Sequence, residues 1–380
     1  MKVFLVIKED IVNYPPVLSI IDALLINKVD VFVLGGYSDN DQKNKLMGRG
    51  VEFADILPYN GETSLIKKFV QMLDYRHKVE HYLKTCYQEG DIVWIMHAEN
   101  VLLLNKLINK YKTIVHFFEY VNPQINWKYR LFAPSFDMGA ACRNAYKVIC
   151  CEYNRAHITK GLFMLEDLPI VLPNKFFATD ECLQDPPVEI EKLLSDIKNK
   201  IFNKKVILYQ GVFLDRERRL EEFIQAVNAL DDDYVLIAMG RGAEMFNRLK
   251  EKYASNKIIF IDFIKPPYHL LITQLADIGI LSYFPRPDSV GSVINPLYCA
   301  PNKTFEYGRY SIPMLSNDVP ALFYQFKEYH CGEIISYPVT PDKIKDKILS
   351  IFADVDNYRK GAKTFYDSVD IVEIINEIVK

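Results

Sequence analysis

Short β-rich runs alternate with helix-period segments along nearly the whole of this chain, and that alternation points to parallel sheets joined by crossover helices. In the first half, strand-like runs fall at residues 2–7, 30–34, 92–96, 113–118 and 148–151, with helical patterns at 64–87, 101–111 and 138–146 between them. A stretch rich in prolines and polar residues, 173–187, interrupts the pattern, and a charged helical segment follows at 188–202. The alternation then restarts, with strands expected at 205–210, 234–239, 258–262 and 278–282 and helices at 219–230, 243–253 and 268–275. A chain of 380 residues exceeds the size at which a single core keeps growing. The expectation is therefore an α/β protein of two Rossmann-like domains facing a central cleft. Residues 1–173 form the first, 174–202 the linker and connecting helix, and 203–361 the second, while a last helix at about 362–380 crosses back to pack on the first. In such sheets ligands bind beyond the carboxyl ends of the strands, so the cleft is the expected site.

Composition narrows the function classes. Apolar residues make up 49% of the chain and charged residues 25%, the balance of a packed globular protein. A net charge of -3 argues against a general nucleic-acid binder, whose footprint is a strongly basic surface. The seven cysteines are odd in number and contain no CxxC pair, which suggests reduced thiols rather than a disulfide framework or a zinc site. The opening run Met1 to Lys8 reads as a buried strand and not as an export signal, and no apolar stretch reaches the length needed to span a bilayer. Cytoplasmic residence is expected, with peripheral contact at the inner face of the cell membrane as the one membrane role left open. Lys67, Lys68, Arg76 and Lys78 on the long first-half helix are the basic stripe that would make it, or else a solvated face.

Three segments of the second half carry anion-binding chemistry. The strand 205–210 runs into Gly211, where a phosphate can approach the backbone, and Arg216, Arg218 and Arg219 follow it. Guanidinium groups suit phosphate because they are permanently charged and donate two parallel hydrogen bonds. The alternative is a tight turn followed by a solvated charge run paired with Asp215, Glu217 and Glu221. A second strand ends in Gly240-Arg241-Gly242, but Met245 stands where a dinucleotide fingerprint needs its third glycine, so a nicotinamide site is rejected. In the third segment, Pro301-Asn302-Lys303-Thr304-Phe305-Glu306-Tyr307, a polar loop enters a short helix whose free amides favour an anion. Lys303 adds a cation there, and Glu306, one turn on, suits a sugar or ribose diol. The competing reading is a capped helix with a Lys303/Glu306 ion pair.

Together Tyr209-Gln210-Gly211, Arg218-Arg219-Leu220-Glu221, Met239-Gly240-Arg241-Gly242, Leu275-Ala276-Asp277-Ile278-Gly279-Ile280 and the 301–307 segment resemble, in order and spacing, retaining glycosyltransferases of the GT-B fold, family-four-like type. The resemblance covers residues 203 to 320. In the first half it is limited to the strand order and to Val171-Leu172-Pro173-Asn174. It implies that Gly211 lies against the diphosphate of a nucleotide-sugar, that Arg218 neutralises it, and that Lys303 and amides near Asn302 complete the cradle. Gly240 and Arg241 belong to the same donor face. Glu306 matches the second glutamate of the family's Glu-x7-Glu motif, which holds the ribose hydroxyls; the position of the first is Tyr298. The family also carries a strand-end histidine before an acidic residue near the transferred sugar. Aligned by Glu119 that position is Phe118, with His116 two residues earlier and His97 at the end of the neighbouring strand, so the catalytic candidates are Glu119, His116 and His97. Tyr120, Trp127, Tyr129 and Phe132 follow in a loop that suits either an acceptor surface or a packed hinge.

The resemblance implies transfer of a sugar from a nucleotide-sugar to a hydroxyl of a glycan or lipid-linked glycan, with retention, as in assembly of a surface polysaccharide. No cofactor and no metal is expected, since fixed cations and amides take the divalent ion's part. The three Asp-x-Asp tripeptides, at 39–41, 231–233 and 354–356, read as solvated turns. The departures at Tyr298 and Phe118 motivate the alternative, a catalytically inactive nucleotide-sugar-binding or scaffold protein of the same fold.

Overall fold

The computed structural model describes residues 1–58, 64–122, 133, 135–176 and 183–380. The chain divides into two compact units, Met1–Phe177 with Asp370–Lys380, and Ala178–Val369. The first holds a seven-stranded sheet of β1 (Lys2–Ile7), β2 (Asp30–Gly35), β3 (Glu52–Phe53), β4 (Ile92–Met96), β5 (Thr113–Phe117), β6 (Lys147–Cys150) and β7 (Ile170–Val171) in the order 3-2-1-4-5-6-7. The second holds β8 (Lys205–Val212), β9 (Tyr234–Arg241), β10 (Ile258–Asp262), β11 (Ile278–Leu281), β12 (Met314–Asn317) and β13 (Gly332–Ile335) in the order 10-9-8-11-12-13. Every pairing is parallel. The central strands are buried on both faces, which explains why they read as continuous apolar runs rather than alternating ones. The strands β3 and β7, of two residues each, are too short to leave a periodic signal.

The last segment departs from the single helix expected over 362–380. It forms two helices, Val355–Asp367 and Ile371–Val379. The Asp370 carboxylate accepts hydrogen bonds from the amides of Val372 (2.9 Å) and Glu373 (3.0 Å), the N-cap arrangement that starts a new helix. The upstream helix stays with the second unit, where Phe365 stacks on Phe305 at 5.0 Å. Only the downstream helix belongs to the first unit. It buries Ile371, Ile375, Ile378 and Val379, Asn27 Nδ2 donates to the Val372 carbonyl (2.9 Å), and Lys147 Nζ donates to the carbonyls of Glu377 (3.0 Å) and Ile378 (2.8 Å). The helix Val188–Lys200 of the expected linker packs Ile197 into the second unit's core.

Candidate functional site

In the second sheet the strand order reverses between β8 and β11, and such a switch point leaves a crevice beyond the carboxyl ends of the strands. The glycine motifs meet here. Gly211 pairs with Gly240 across β8 and β9, and a Cβ at Gly240 would stand 1.7 Å from the Gly211 carbonyl oxygen. Both have positive φ, +145° and +156°, so these strands continue past their expected ends by adopting backbone that glycine tolerates best. Arg241, the last residue of β9, is exposed and lies over the Phe263 ring, 5.2 Å from its centroid.

The helix Asn302–Arg309 is fixed over this switch point by its buried face. The Tyr307 hydroxyl donates to the Leu208 carbonyl of β8 (3.3 Å), and its ring lies where a Cβ on Gly279 of β11 would come within 2.4 Å. Pro301 precedes the helix and no side chain caps its first amides. From the first turn Lys303 extends toward Gly211, its Nζ 2.8 Å from the place a Cβ there would take, and lies 5.4 Å from the ring centroids of both Tyr209 and Tyr283. Among the described residues Lys303 and Glu306 form no ion pair and no side chain caps this helix, unlike the capped-helix alternative. Burial of the ammonium, reinforced by the nearby Arg218 charge, brings the Lys303 pKa down to about 7. Arg218 lies 4.1 Å over the Tyr283 ring and is paired with Glu217 at 2.9 Å. Arg219 instead pairs with Glu222 and lies over Phe284 at 4.7 Å, and Arg216 is exposed.

Glu306, one turn further along, is 6% exposed. Gln210 Nε2 donates to its Oε2, and His269 Nε2 stands 3.3 Å from its Oε1. Gln210 Oε1 in turn accepts from the Thr273 hydroxyl at 2.8 Å. The three partners come from β8 and from the segment before β11, and nothing in their sequence spacing announces the contact. Only Tyr209-Gln210-Gly211 carried a signal, and it pointed to the glycine.

The first unit has its own switch point, between β1 and β4. Lys8 follows β1, is 4% exposed, and pairs with Glu99 (2.8 Å) and Glu9 (3.3 Å). Asn100 also donates to Glu9, at 3.1 Å. None of these was singled out in the sequence, because a lysine at a strand end has no motif around it. His97 follows β4 with φ at +67°, a conformation strained for a histidine. The Tyr14 ring meets His97 edge-on at 4.8 Å. Burial lowers the His97 pKa, while Glu9, Glu119 and Glu99 oppose that shift. Glu119 is exposed. His116 is 1% exposed, neither ring nitrogen has a hydrogen-bond partner among the described residues, and burial pushes its pKa down to about 3. Of the expected acceptor loop, Tyr120 is half-buried, while Trp127, Tyr129 and Phe132 lie outside the described residues.

The Asp-x-Asp tripeptides serve local structure. Asp39 accepts from the Gln42 amide (3.1 Å), Asp231 from the Asp233 amide (3.0 Å) and Asp354 from Asn357 Nδ2 (2.7 Å). Among the described residues no group of three or more His, Cys, Asp or Glu gathers as a metal site, and no helix is long and apolar enough to cross a membrane.

No family model and no curated protein sequence matches this chain. Solved structures do. A glycosyltransferase from Rickettsia africae is similar at 14% identity with a TM-score of 0.68, covering 99% of this chain and 96% of its own. HepE from Anabaena, solved with UDP and glucose, gives 14% identity and 0.65, covering 100% of this chain and 98% of its own. Sucrose-phosphate synthase from Thermosynechococcus elongatus gives 13% and 0.66, covering 100% and 96%. At such identities a likeness establishes the fold alone, and it does so over essentially the whole length of each chain. This chain therefore has the fold of the GT-B glycosyltransferases, two Rossmann-like α/β units, one built on each parallel sheet.

Proposed function

We propose that this protein is a glycosyltransferase that moves a sugar from a nucleotide-sugar to a hydroxyl of a glycan or lipid-linked glycan, with retention at the anomeric carbon and without a metal. The observation that carries the reading is Lys303, a buried ammonium that makes no ion pair among the described residues, held against Gly211 at the switch point of the second sheet. Leaving a cation unpaired in such a place costs stability, and an anionic ligand removes the cost. A nucleoside diphosphate fits. Gly211 and Gly240 leave its phosphates room at the backbone, Lys303 and Arg218 neutralise them, and the uncapped amides from Asn302 onward add donors. When the sugar leaves, the same groups stabilise the charge that develops on the departing diphosphate. Arg241 belongs to the same donor face, and Glu306 takes the ribose hydroxyls. In the first unit Glu119, His116 and His97 are the groups assigned to the transferred sugar. The complex of HepE with UDP and glucose supports a nucleotide-sugar donor for a chain of this fold. We place the protein in the cytoplasm. The helix Leu65–Cys86 opens with exposed Ile66 and Val70 near Lys67 and Lys68, which supports peripheral contact with an anionic membrane carrying the acceptor.

Calorimetric titration with UDP, ADP and GDP tests the reading. One of them binds in the micromolar range, and Lys303→Met and Arg218→Ala each weaken it by roughly 1.5–3 kcal/mol, the worth of a charge-assisted hydrogen bond. Folded protein that binds none of the three sinks the assignment.

A further inference from the structure

Glu306 accepts a hydrogen bond from buried Gln210 and has buried His269 beside its other oxygen, while Lys303 one turn away makes no ion pair with it among the described residues. Its side chain could reach across one helical turn to Lys303, yet no ion pair forms between them. Instead Gln210 Nε2 donates to Oε2, and His269 Nε2 stands 3.3 Å from Oε1. The Gln210 amide has no freedom to reverse. A carboxylate only accepts, so the NH₂ faces Glu306 and Oε1 is turned to Thr273 Oγ1 at 2.8 Å, a hydroxyl that also lies 3.2 Å from the His269 carbonyl. Gln210, His269, Thr273 and Glu306 are 4%, 8%, 0% and 6% exposed. This is a chain of hydrogen bonds in a low-dielectric interior, ending on a carboxylate of fixed plane and rotation.

A carboxylate held at Oε2 by Gln210, with His269 Nε2 3.3 Å from Oε1, still has lone pairs to spare for a ligand. We infer that Gln210, His269 and Thr273 are positioning residues that aim Glu306 at the 2′,3′-diol of a ribonucleotide, so that this buried network sets the protein's preference for ribose over 2′-deoxyribose. The inference rests on the reading of the second unit as a donor-nucleotide site. None of the three touches the nucleotide; each acts through Glu306. The arrangement also separates two tasks that neighbouring residues on one helix might otherwise confuse. Lys303 is left to the diphosphate because Glu306 is satisfied elsewhere, and Glu306 can act as an acceptor because its orientation does not depend on Lys303.

The test compares binding of UDP, ADP and GDP with that of their 2′-deoxy forms by calorimetry, in the native chain and in Gln210→Met, His269→Gln, Thr273→Val and Thr273→Ser. The native chain prefers the ribose form of whichever nucleotide it binds by roughly tenfold or more, the range of a hydrogen bond to a charged group. Gln210→Met brings that ratio close to one, His269→Gln and Thr273→Val reduce it severalfold, and Thr273→Ser, which keeps the hydroxyl, retains it. A merely structural role would lower affinity for both sugars together and leave the ratio alone. An unchanged ratio in folded Thr273→Val and His269→Gln overturns the network's role while leaving the donor site standing, and Thr273→Val gives the answer even if Gln210→Met does not fold. A native chain that binds a nucleotide without preferring ribose also overturns it. Failure of the native chain to bind any of the six nucleotides overturns the donor-site reading and this inference with it.

Discussion

An ammonium enclosed by aromatic rings beside a second cation holds its proton less firmly than one in water, and Lys303 is in that position, with a pKa of about 7 against an ordinary 10.5. Because the folded value lies below the unfolded one, the unfolded chain binds more protons between pH 7 and 10.5, so this residue makes the ligand-free protein more stable as pH rises through that range. A bound diphosphate reverses the preference by favouring the charged form. Titrations near pH 7.5 in buffers of different ionisation enthalpy should therefore show net proton uptake on binding, and affinity should decline as pH is raised above about 7. In Lys303→Met both effects vanish; uptake that persists there would assign the proton to another group. His116 supplies the opposite case, a pKa near 3 against an ordinary 6.5. The unfolded chain takes up a proton first as pH falls below 6.5, so the first unit loses up to about 1.4 kcal/mol for each further pH unit. Denaturant unfolding across pH 6.5 to 4 should show that slope, and His116→Phe should flatten it.

At the scale of elements, nine strands and a number of helices were legible because each needs only its own residues, as β4 at Ile92–Met96 and the helix Ala243–Tyr253 illustrate, whereas β12, β13 and helices such as Pro15–Ile26 and Pro320–Tyr329 were not. The glycines were legible as turns, but the reason for them was not, since Gly279 acquires its meaning from a tyrosine 28 positions later in the chain. Its missing side chain admits the Tyr307 ring, and that ring holds the helix Asn302–Arg309 over β8 and β11. Gly279→Ala would place a methyl group 2.4 Å from a buried ring carbon. The expected cost is about 1–3 kcal/mol of overpacking, accompanied by weaker nucleotide binding as Lys303 and Glu306 are displaced together. Gly48→Ala, at the end of the helix Asn40–Gly48 with nothing within 4 Å of the new methyl, is the matched control and should be neutral or slightly stabilising. Thermal unfolding and calorimetry on both variants check this, and equal behaviour of the two would remove the packing account. The Glu306 network was out of reach for the same reason as Tyr307. Gln210 and Glu306 are 96 residues apart, and a sequence shows each without its partner.

For the whole molecule the question is how one chain stabilises two cores, and the last helix gives it an unequal answer. The second unit is nearly continuous in sequence, with cores on both faces of its sheet formed from its own residues. The first unit depends on a segment far away in sequence, Ile371–Val379, which buries four apolar residues and whose backbone carbonyls accept from Asn27 and Lys147. Full burial of a side chain of this size contributes roughly 1.5–3 kcal/mol, so the helix supplies a large part of the 5–15 kcal/mol that typically separates a folded domain from its unfolded chain. Deleting residues 370–380 should therefore unfold or severely weaken the first unit and leave the second intact. Hydrogen exchange would find amides of β1, β2 and β6 exposed and those of β8, β9 and β11 still protected. The diphosphate cradle of Gly211, Arg218 and Lys303 lies wholly within the second unit. The truncated chain should then keep its affinity for the nucleoside diphosphate while losing transfer activity, because the donor half stays folded and the half assigned to the acceptor does not. Loss of nucleotide binding on truncation would show that the donor half depends on the first unit for its structure, and protection retained in β1 and β2 would show that the first core stands without its last helix.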